Sequence, residues 1–305
     1  MSVALVLVSS GDAEPSEARE GAPVAVDEIT VGDLTFTVRT AGPDDGEVVI
    51  LLHGFPQTSH EWRHQLLALG EAGFRAVAPD QRGYSPGARP PAIEDCAIPL
   101  VQDVIGIADA VGADRFHIVG HDWGAAVAWA VAIVAEDRVI TANPVSVPHP
   151  DAFARVLRDP ASCQVAASSY FDLFVQPNSE DGFLANDSAQ LRAVYSGIDA
   201  EAADEYVRVL GSKPALGSAL NWYRANVADR NLAGPALGNV KAPTMFTWSD
   251  GDTALCIDGA QLTEEYVDAP YRFEVLEEVS HWIPDLAPDR MTALLLDHLA
   301  EYSER

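Results

Sequence analysis

The stretch Phe116-His-Ile-Val-Gly120-His-Asp122-Trp-Gly124 decides how the rest of the chain is interpreted. Its first four residues are typical of a strand, and the residues Ala125–Ala135 that follow are typical of a helix. The small residues Gly120 and Gly124 permit a sharp turn from strand to helix, which pushes the middle side chain out of the sheet at the helix N-terminus. The sequence therefore predicts that Asp122 is displayed where such a turn usually presents a nucleophile.

A carboxylate at this position suggests a particular chemistry. Aspartate has an ordinary pKa of about 3.9, so Asp122 needs no general base to be ionised at neutral pH, and the positive end of the helix dipole favours the charged form. A carboxylate suits displacement at a saturated carbon that bears a leaving group, which gives an alkyl ester of the enzyme. The alternative is that Asp122 only caps the helix, a role for which aspartate is also well suited.

Two later segments supply partners for a nucleophile. Ser280-His281-Trp282 follows the last strand-like run, and Asp250 and Asp252 follow the run Thr244–Trp248. The order of nucleophile, acid and histidine is that of one known class of catalytic triad, and both loops lie at carboxyl ends of parallel strands, where open α/β sheets build their sites. We predict His281 as the catalytic histidine. Asp252 is preferred to Asp250 because it extends further beyond the sheet edge.

His53-Gly54-Phe55-Pro56 directly follows the apolar run Val48–Leu52. A turn of this kind suits a cis peptide before Pro56, which would direct the Phe55 N–H towards Asp122. With the N–H of Trp123 this would provide two donors for an oxyanion. A plain loop is the alternative, and for His53 itself we favour a structural role.

The whole chain has the pattern of a doubly wound α/β domain. Short apolar runs, typical of strands buried on both faces of a parallel sheet, alternate with helix-like segments. A hairpin is predicted at Glu28–Val31 and Leu34–Val38. The alternation stops between residues 148 and 240, which we interpret as a helical cap inserted after the sixth strand. The predicted divisions are a flexible extension over residues 1–25, a core over 26–147 and 241–305, and the cap over 148–240.

Composition excludes several partners. The 305 residues contain 46 Asp plus Glu against 19 Lys plus Arg, a net charge of −27, which argues against nucleic acid and anionic membrane surfaces. No apolar run approaches the roughly 18 residues of a membrane span. Cys96, Cys163 and Cys256 are odd in number and scattered, so we expect no disulfide framework and a cytoplasmic protein. The acidity fits either a salt-adapted source or a merely acidic protein.

These motifs together resemble those of the epoxide hydrolases of the α/β-hydrolase superfamily. The resemblance runs from about Val26 to the C-terminus and rests on the following segments: His53-Gly-Phe-Pro56, Trp62-Arg63, Pro79-Asp-Gln-Arg-Gly-Tyr-Ser85, Gly120-His-Asp-Trp-Gly124, Leu220-Asn-Trp-Tyr-Arg224 and Ser280-His-Trp282. It implies the α/β-hydrolase fold, with a mostly parallel eight-stranded sheet flanked by helices and a helical cap.

The resemblance also implies residue roles. Asp122 would be the nucleophile, His281 with Asp252 would activate water, and Tyr223 would hydrogen-bond the epoxide oxygen. A second cap tyrosine is usual in the family, but here its position falls on Phe171 and the tyrosine stands one residue earlier, at Tyr170. The expected residues are, for catalysis, Asp122, His281, Asp252, Tyr223 and Tyr170; for the oxyanion hole, Phe55 and Trp123; and for substrate binding, Phe55, Trp123, Phe171 and Trp282.

We expect the substrates to be a small apolar epoxide and water. We expect no metal or other cofactor, and a protein that is a monomer or a homodimer. The nearest alternative is a haloalkane dehalogenase, which would use the same Asp122, His281 and Asp252. It is disfavoured because Phe55 stands where a halide-binding Asn is expected and because Tyr223 would have no role. A haloacetate dehalogenase would require arginines beside the nucleophile. A hydrolase fold that only binds a small molecule would leave the three motifs as coincidence.

Overall fold

A computed structural model describes residues 24–90, 97–227 and 236–304 of the chain. Within these residues eight strands form one sheet in the order β1-β2-β4-β3-β5-β6-β7-β8. Strand β2 pairs antiparallel with β1 and with β4, and the remaining pairs are parallel. The strands are β1 (Ala25–Val31), β2 (Leu34–Ala41), β3 (Val48–Leu52), β4 (Arg75–Pro79), β5 (Phe116–His121), β6 (Val139–Val145), β7 (Thr244–Ser249) and β8 (Tyr271–Leu276).

Helices separate the strands from β3 onwards, as the sequence pattern predicts. They are α1 (Arg63–Glu71), α2 (Ala97–Ala110), α3 (Trp123–Val134), α4 (Pro150–Arg158), α5 (Cys163–Ala167), α6 (Phe171–Phe174), α7 (Glu180–Val194), α8 (Ala200–Leu210), α9 (Lys213–Asn226), α10 (Ile257–Leu262), α11 (Ile283–Leu286) and α12 (Pro288–Tyr302). Helix α7 is interrupted between Ala185 and Ser188, where the backbone leaves the helical region. The eight-stranded, mostly parallel α/β-hydrolase fold predicted above is confirmed.

The continuous apolar runs of the sequence have a direct structural cause. Every residue of β3, β5, β6 and β7 is buried, because helices cover both faces of the parallel sheet. Alternate residues of β3 enter different cores: Ile50 and Leu52 pack on one side, and Val49 and Leu51 on the other. The first core extends to helices between β6 and β7, and the second to α12.

The first two strands behave differently. They form the predicted hairpin, with Val31 opposite Leu34 and Gly32 at a φ of 57°. Only β2 contributes fully buried apolar side chains, Phe36 and Val38, at alternate positions. This strand therefore has one face in the core and one face near solvent, which explains its alternating sequence.

Six helices, α4 to α9, lie between β6 and β7, and none of the eight strands falls in the described part of residues 148–240. The predicted helical insertion after the sixth strand is confirmed. Its treatment as a separate cap domain, with limits at 148 and 240, stays a prediction. The predicted extension over residues 1–25 lies almost wholly outside the described residues.

One feature of the described residues differs from expectation. Cys163 and Cys256 form a disulfide across 93 residues of sequence, although the scattered cysteines gave no reason to expect one. The folded chain brings α5 against the loop before α10, a proximity that cysteine spacing cannot reveal. Cys96 lies outside the described residues.

The turn between β5 and α3 generates a test of the fold. A Cβ at Gly124 would lie 2.0 Å from the Leu52 carbonyl oxygen, whereas a Cβ at Gly182 would meet nothing nearer than 3.5 Å. We expect Gly124→Ala to lower the free energy of unfolding by about 1–3 kcal/mol, because backbone must move to admit the methyl group. Gly182→Ala, on an exposed helical site, is the control and should not destabilise the protein. Equal stability of the two variants in urea would contradict this packing.

Candidate active site

Asp122 occupies a sharp turn between β5 and α3. Its φ is 52°, a left-handed conformation that non-glycine residues seldom adopt. The turn is so tight that a Cβ at Gly120 would lie 2.1 Å from the Gly124 carbonyl oxygen. The Asp122 side chain makes no capping hydrogen bond to α3, so the helix-cap alternative does not account for it. The residue is buried, and its carboxylate faces the loop after β3.

The loop after β3 holds one oxygen of this carboxylate. The Phe55 N–H donates to Asp122 Oδ1 at 2.8 Å, and the Phe55–Pro56 peptide is cis. Gly54 permits this approach, since a Cβ there would lie 2.3 Å from the Cβ of Asp122. His53 is buried and satisfied locally: Nδ1 lies 2.9 Å from the Gly54 carbonyl oxygen, and Nε2 accepts from the Gln81 N–H at 3.0 Å. These contacts support the structural role favoured for His53.

His281 lies between two carboxylates. Its Nδ1 is 2.7 Å from Asp252 Oδ2, and its Nε2 is 3.6 Å from Asp122 Oδ2. The other oxygen of Asp252 accepts from the N–H groups of Ala254 and Leu255, at 2.8 Å and 3.0 Å. These bonds fix the acid in the orientation that His281 needs.

The rejected alternative, Asp250, points elsewhere. Its Oδ1 accepts from the Glu278 N–H at 2.7 Å and so ties together the loops that follow β7 and β8. The geometry therefore supports Asp252, which extends further beyond the sheet edge, as the partner of His281.

Charges in this cluster stabilise one another. Burial alone would lower the pKa of His281, but the Asp252 carboxylate and the hydrogen bonds to Asp122 and Asp252 outweigh it and raise this pKa to about 10. Burial would likewise raise the pKa of Asp122, yet the hydrogen bond and positive charge of His281 lower it overall. At neutral pH the free site thus holds an ionised Asp122 beside a protonated His281.

The backbone of His281 is held by residues that sequence reasoning did not select. Its carbonyl oxygen accepts from His121 Nε2 at 3.0 Å, from Ser146 Oγ at 3.2 Å and from the Ile283 N–H at 2.8 Å. Burial and the nearby charge of His281 lower the pKa of His121 to about 3, so His121 is neutral. The available signal was its place in the decisive turn, directly before Asp122.

Tyr223 and Tyr170 approach the nucleophile from the helices between β6 and β7. Tyr223 lies on α9 and is buried, whereas Tyr170 ends the 3₁₀ turn before α6 and is half-buried by surface area. Their ring centroids are 6.3 Å apart. Burial raises the pKa of both phenols well above 10, and the next contribution in each comes from the negative charge of Asp122. Both phenols are therefore neutral, and the charge of Asp122 acts on both.

Aromatic rings surround the phenols. Tyr223 packs edge-on against Phe55 at 5.2 Å and Trp123 at 5.1 Å, and Phe171 lies 5.8 Å from it. Phe174, which sequence reasoning missed, is 4.9 Å from Tyr223. Its signal was its place one helical turn after Phe171.

The predicted substrate-binding residue Trp282 packs against two histidines. Its ring centroid is 4.9 Å from that of His281 and 6.2 Å from that of His121. The structure thus brings together the following predicted residues, with Trp282 in ring contact with the histidine: Asp122, His281, Asp252, Phe55, Trp123, Tyr170, Tyr223 and Phe171.

Two further properties concern the whole described part of the chain. Residues 24–90, 97–227 and 236–304 contain no group of three or more His, Cys, Asp or Glu side chains arranged to hold a metal ion. None of the helices in these ranges is both long and apolar enough to cross a membrane.

Comparison with known proteins identifies the family. Residues 49–294 match the alpha/beta hydrolase family. Epoxide hydrolase A of Mycobacterium tuberculosis is 32% identical to this chain over 314 residues, covering 89% of this chain and 96% of that protein. Epoxide hydrolase 4 of the mouse is 30% identical, covering 89% and 78% respectively.

Solved structures agree with these relatives. A structure of epoxide hydrolases from hot-environment metagenomes superimposes with a TM-score of 0.80 at 30% identity, covering 91% of this chain and 99% of that one. A Bacillus megaterium epoxide hydrolase in complex with an inhibitor gives a TM-score of 0.82 at 26% identity, covering 90% and 100%. The chain therefore belongs to the alpha/beta hydrolase family and, within it, to the epoxide hydrolases.

The charge cluster predicts different effects for two neighbouring acids. Asp252→Asn should lower the pKa of His281 from about 10, because it removes the largest contribution that raises this pKa. Asp250→Asn is the matched control and should leave the pKa unchanged, since Asp250 contacts Glu278 instead. NMR titration of the His281 ring measures both. A larger effect from Asp250→Asn would mean that the wrong acid has been assigned.

Proposed function

We propose that this protein hydrolyses small apolar epoxides to vicinal diols through an alkyl ester on Asp122. The observation that carries the proposal is the pairing of an ionised carboxylate with two neutral phenols in one buried site. Ring opening requires a nucleophile at carbon and an acid at oxygen, and these groups supply both. The epoxide hydrolase relatives support the same substrate class.

The first half-reaction would use Asp122 and the phenols. Asp122 attacks an epoxide carbon, the C–O bond breaks, and the oxygen takes a proton. Tyr223 and Tyr170 would donate hydrogen bonds to the epoxide oxygen. Their raised pKa values keep them neutral, so they can donate while charge develops on that oxygen. The products are the ester and the hydroxyl of the alkyl group.

Ester formation would prepare the site for the second half-reaction. Free His281 is protonated at neutral pH and cannot act as a base. Alkylation removes the negative charge of Asp122 and weakens its hydrogen bond, two of the contributions that raise the pKa of His281. That pKa therefore falls, so His281 can more readily give up a proton. This proton balances the one that the alkoxide gains.

Hydrolysis would then follow from the neutral histidine. His281 Nε2 takes a proton from water, and the hydroxide attacks the carbonyl carbon of the Asp122 ester. Asp252 keeps the Nδ1–H oriented, at 2.7 Å. The N–H groups of Phe55 and Trp123 would stabilise the tetrahedral oxyanion. Collapse of this intermediate would break the acyl C–O bond, and the leaving alkoxide would take the proton of the new carboxyl group to become the diol. The Asp122 carboxylate and the protonated His281 are thereby restored, with only this chain and water used.

The surroundings favour an apolar substrate. The rings of Phe55, Trp123, Phe171 and Phe174 enclose Tyr223. Such a lining offers contact area to hydrocarbon or aryl groups and few polar partners. A substrate carboxylate would meet no described arginine among these rings, which argues against a haloacid.

Replacing the histidine should separate the two half-reactions. We expect His281→Gln to form the ester with styrene oxide but not hydrolyse it, because Asp122 needs no base whereas the attacking water does. Mass spectrometry of the intact protein should show a gain of one substrate mass. The double variant His281→Gln with Asp122→Ala is the control and should gain nothing.

The outcome discriminates among the candidate functions. Normal turnover of His281→Gln would exclude the triad. If the wild-type protein instead releases halide from 1-bromobutane and gives no diol from styrene oxide, the protein is a haloalkane dehalogenase. If neither product forms, the protein is a binding protein of the same fold.

Loss of the phenol should act on the first half-reaction. We expect Tyr223→Phe to slow ester formation by about 10²–10⁴-fold, the usual contribution of a general acid, while ester hydrolysis changes much less. Tyr170→Phe should be milder, because Tyr223 remains. Tyr271→Phe is the control, since its buried hydroxyl has no hydrogen-bond partner and lies on β8. Stopped-flow tryptophan fluorescence measures the rates; wild-type alkylation by Tyr223→Phe would remove the main support for an epoxide substrate.

A further inference from the structure

Asp285 lies four residues after His281, in the short helix α11, and its side chain is fully excluded from solvent. Three donors converge on its carboxylate. Arg63 Nη1 is hydrogen-bonded to Oδ1, while Gln57 Nε2 and the Tyr206 hydroxyl donate to Oδ2 at 2.6 Å and 2.9 Å. Such a buried carboxylate is stable only while its partners are in place.

The three donors come from three parts of the site. Gln57 follows Phe55 in the loop that supplies the oxyanion N–H. Arg63 begins α1, and its second guanidinium nitrogen pairs with Asp199 Oδ2 at 2.6 Å. Tyr206 lies on α8, one of the helices between β6 and β7, and Asp199 caps the same helix. Asp285 therefore connects α8 to the loop that holds Phe55 and to the loop that holds His281.

The turn between Asp285 and His281 is short and internally bonded. The Ile283 N–H donates to the His281 carbonyl oxygen at 2.8 Å, and the Asp285 N–H donates to the Trp282 carbonyl oxygen at 3.2 Å. A shift of Asp285 would thus move the backbone that carries His281. The 2.7 Å contact from His281 to Asp252 and the 3.6 Å approach to Asp122 depend on that backbone.

We infer that Asp285 is a positioning residue for His281, and that Tyr206 makes its effect depend on the docking of α8. The inference rests on the proposed function for the catalytic task of His281, but the orientation of the histidine is a property of the free protein. Docking of α8 would complete the set of donors on Asp285 and so align His281 for the hydrolytic half-reaction. Ester formation, which needs Asp122 and the phenols, would be largely insensitive to it.

The test compares Tyr206→Phe with Asp285→Asn, using Tyr271→Phe as the control. Tyr206→Phe removes one hydrogen bond to Asp285 and no charge, so any change at His281 reports geometry. The ionisable groups facing His281 are Asp252, Asp122 and His121, and none is altered. We expect NMR titration to show a His281 pKa lowered by at least about 0.5 unit in Tyr206→Phe and by more in Asp285→Asn. Tyr271→Phe should match wild type.

Single-turnover kinetics provide the second readout. We expect hydrolysis of the Asp122 ester to slow by about tenfold in Tyr206→Phe, as for loss of one hydrogen bond to a charged group, and by more in Asp285→Asn. The rate of ester formation should stay within about twofold of wild type. Equal slowing of both half-reactions would indicate a general loss of structure and overturn the inference.

A merely structural role has a distinct signature. Tyr206→Phe would then lower the melting temperature while the His281 pKa and the hydrolysis rate stay at wild-type values, and the inference would be wrong. If Asp285→Asn does not fold, Tyr206→Phe decides alone. The titration needs no substrate, so it decides the role of Asp285 even if no epoxide forms an ester, an outcome that would refute only the proposed function.

Discussion

The close approach of two backbone segments underlies the whole site. The turn from β5 to α3 passes so near the end of β3 that a methyl group at Gly124 would lie 2.0 Å from the Leu52 carbonyl oxygen. Within this turn Asp122 adopts a left-handed conformation, and its carboxylate accepts from the Phe55 N–H at 2.8 Å. Everything else in the site, from the histidine to the phenols, is arranged around that one fixed carboxylate.

Charge around the carboxylate would let one histidine serve both half-reactions of the proposed mechanism. Asp122 and Asp252 together hold the free His281 in its protonated form, with a pKa of about 10. Removal of the Asp122 charge in an ester would lower this pKa and produce a base only when an ester is present to be hydrolysed. The His121 ring holds the His281 carbonyl oxygen at 3.0 Å, and Asp285 would position the same backbone if the inference drawn above is right.

Much of this arrangement could be predicted from the sequence, for physical reasons. Parallel strands buried on both faces leave continuous apolar runs in the sequence, and the tight turn requires Gly120 and Gly124. Both features can therefore be recognised from short segments of the chain. Contacts made by tertiary packing cannot be recognised in this way. The spacing of Phe171 and Phe174 puts both rings on one helical face, but it does not say that this face meets Tyr223. No local pattern joins Asp285 to Tyr206 or Cys163 to Cys256. That Asp252 rather than Asp250 lies beside His281 could be argued only from how far each residue extends beyond the sheet edge.

The central claim is that Asp122 forms a covalent ester with the substrate, and isotope transfer tests it most directly. One turnover with excess enzyme in ¹⁸O-labelled water should place the label in the Asp122 side chain, because water attacks the acyl carbon of the ester. The diol of that first turnover should then be largely unlabelled. Label found directly in this diol, with none in Asp122, would show that water attacks the epoxide itself and would contradict the account.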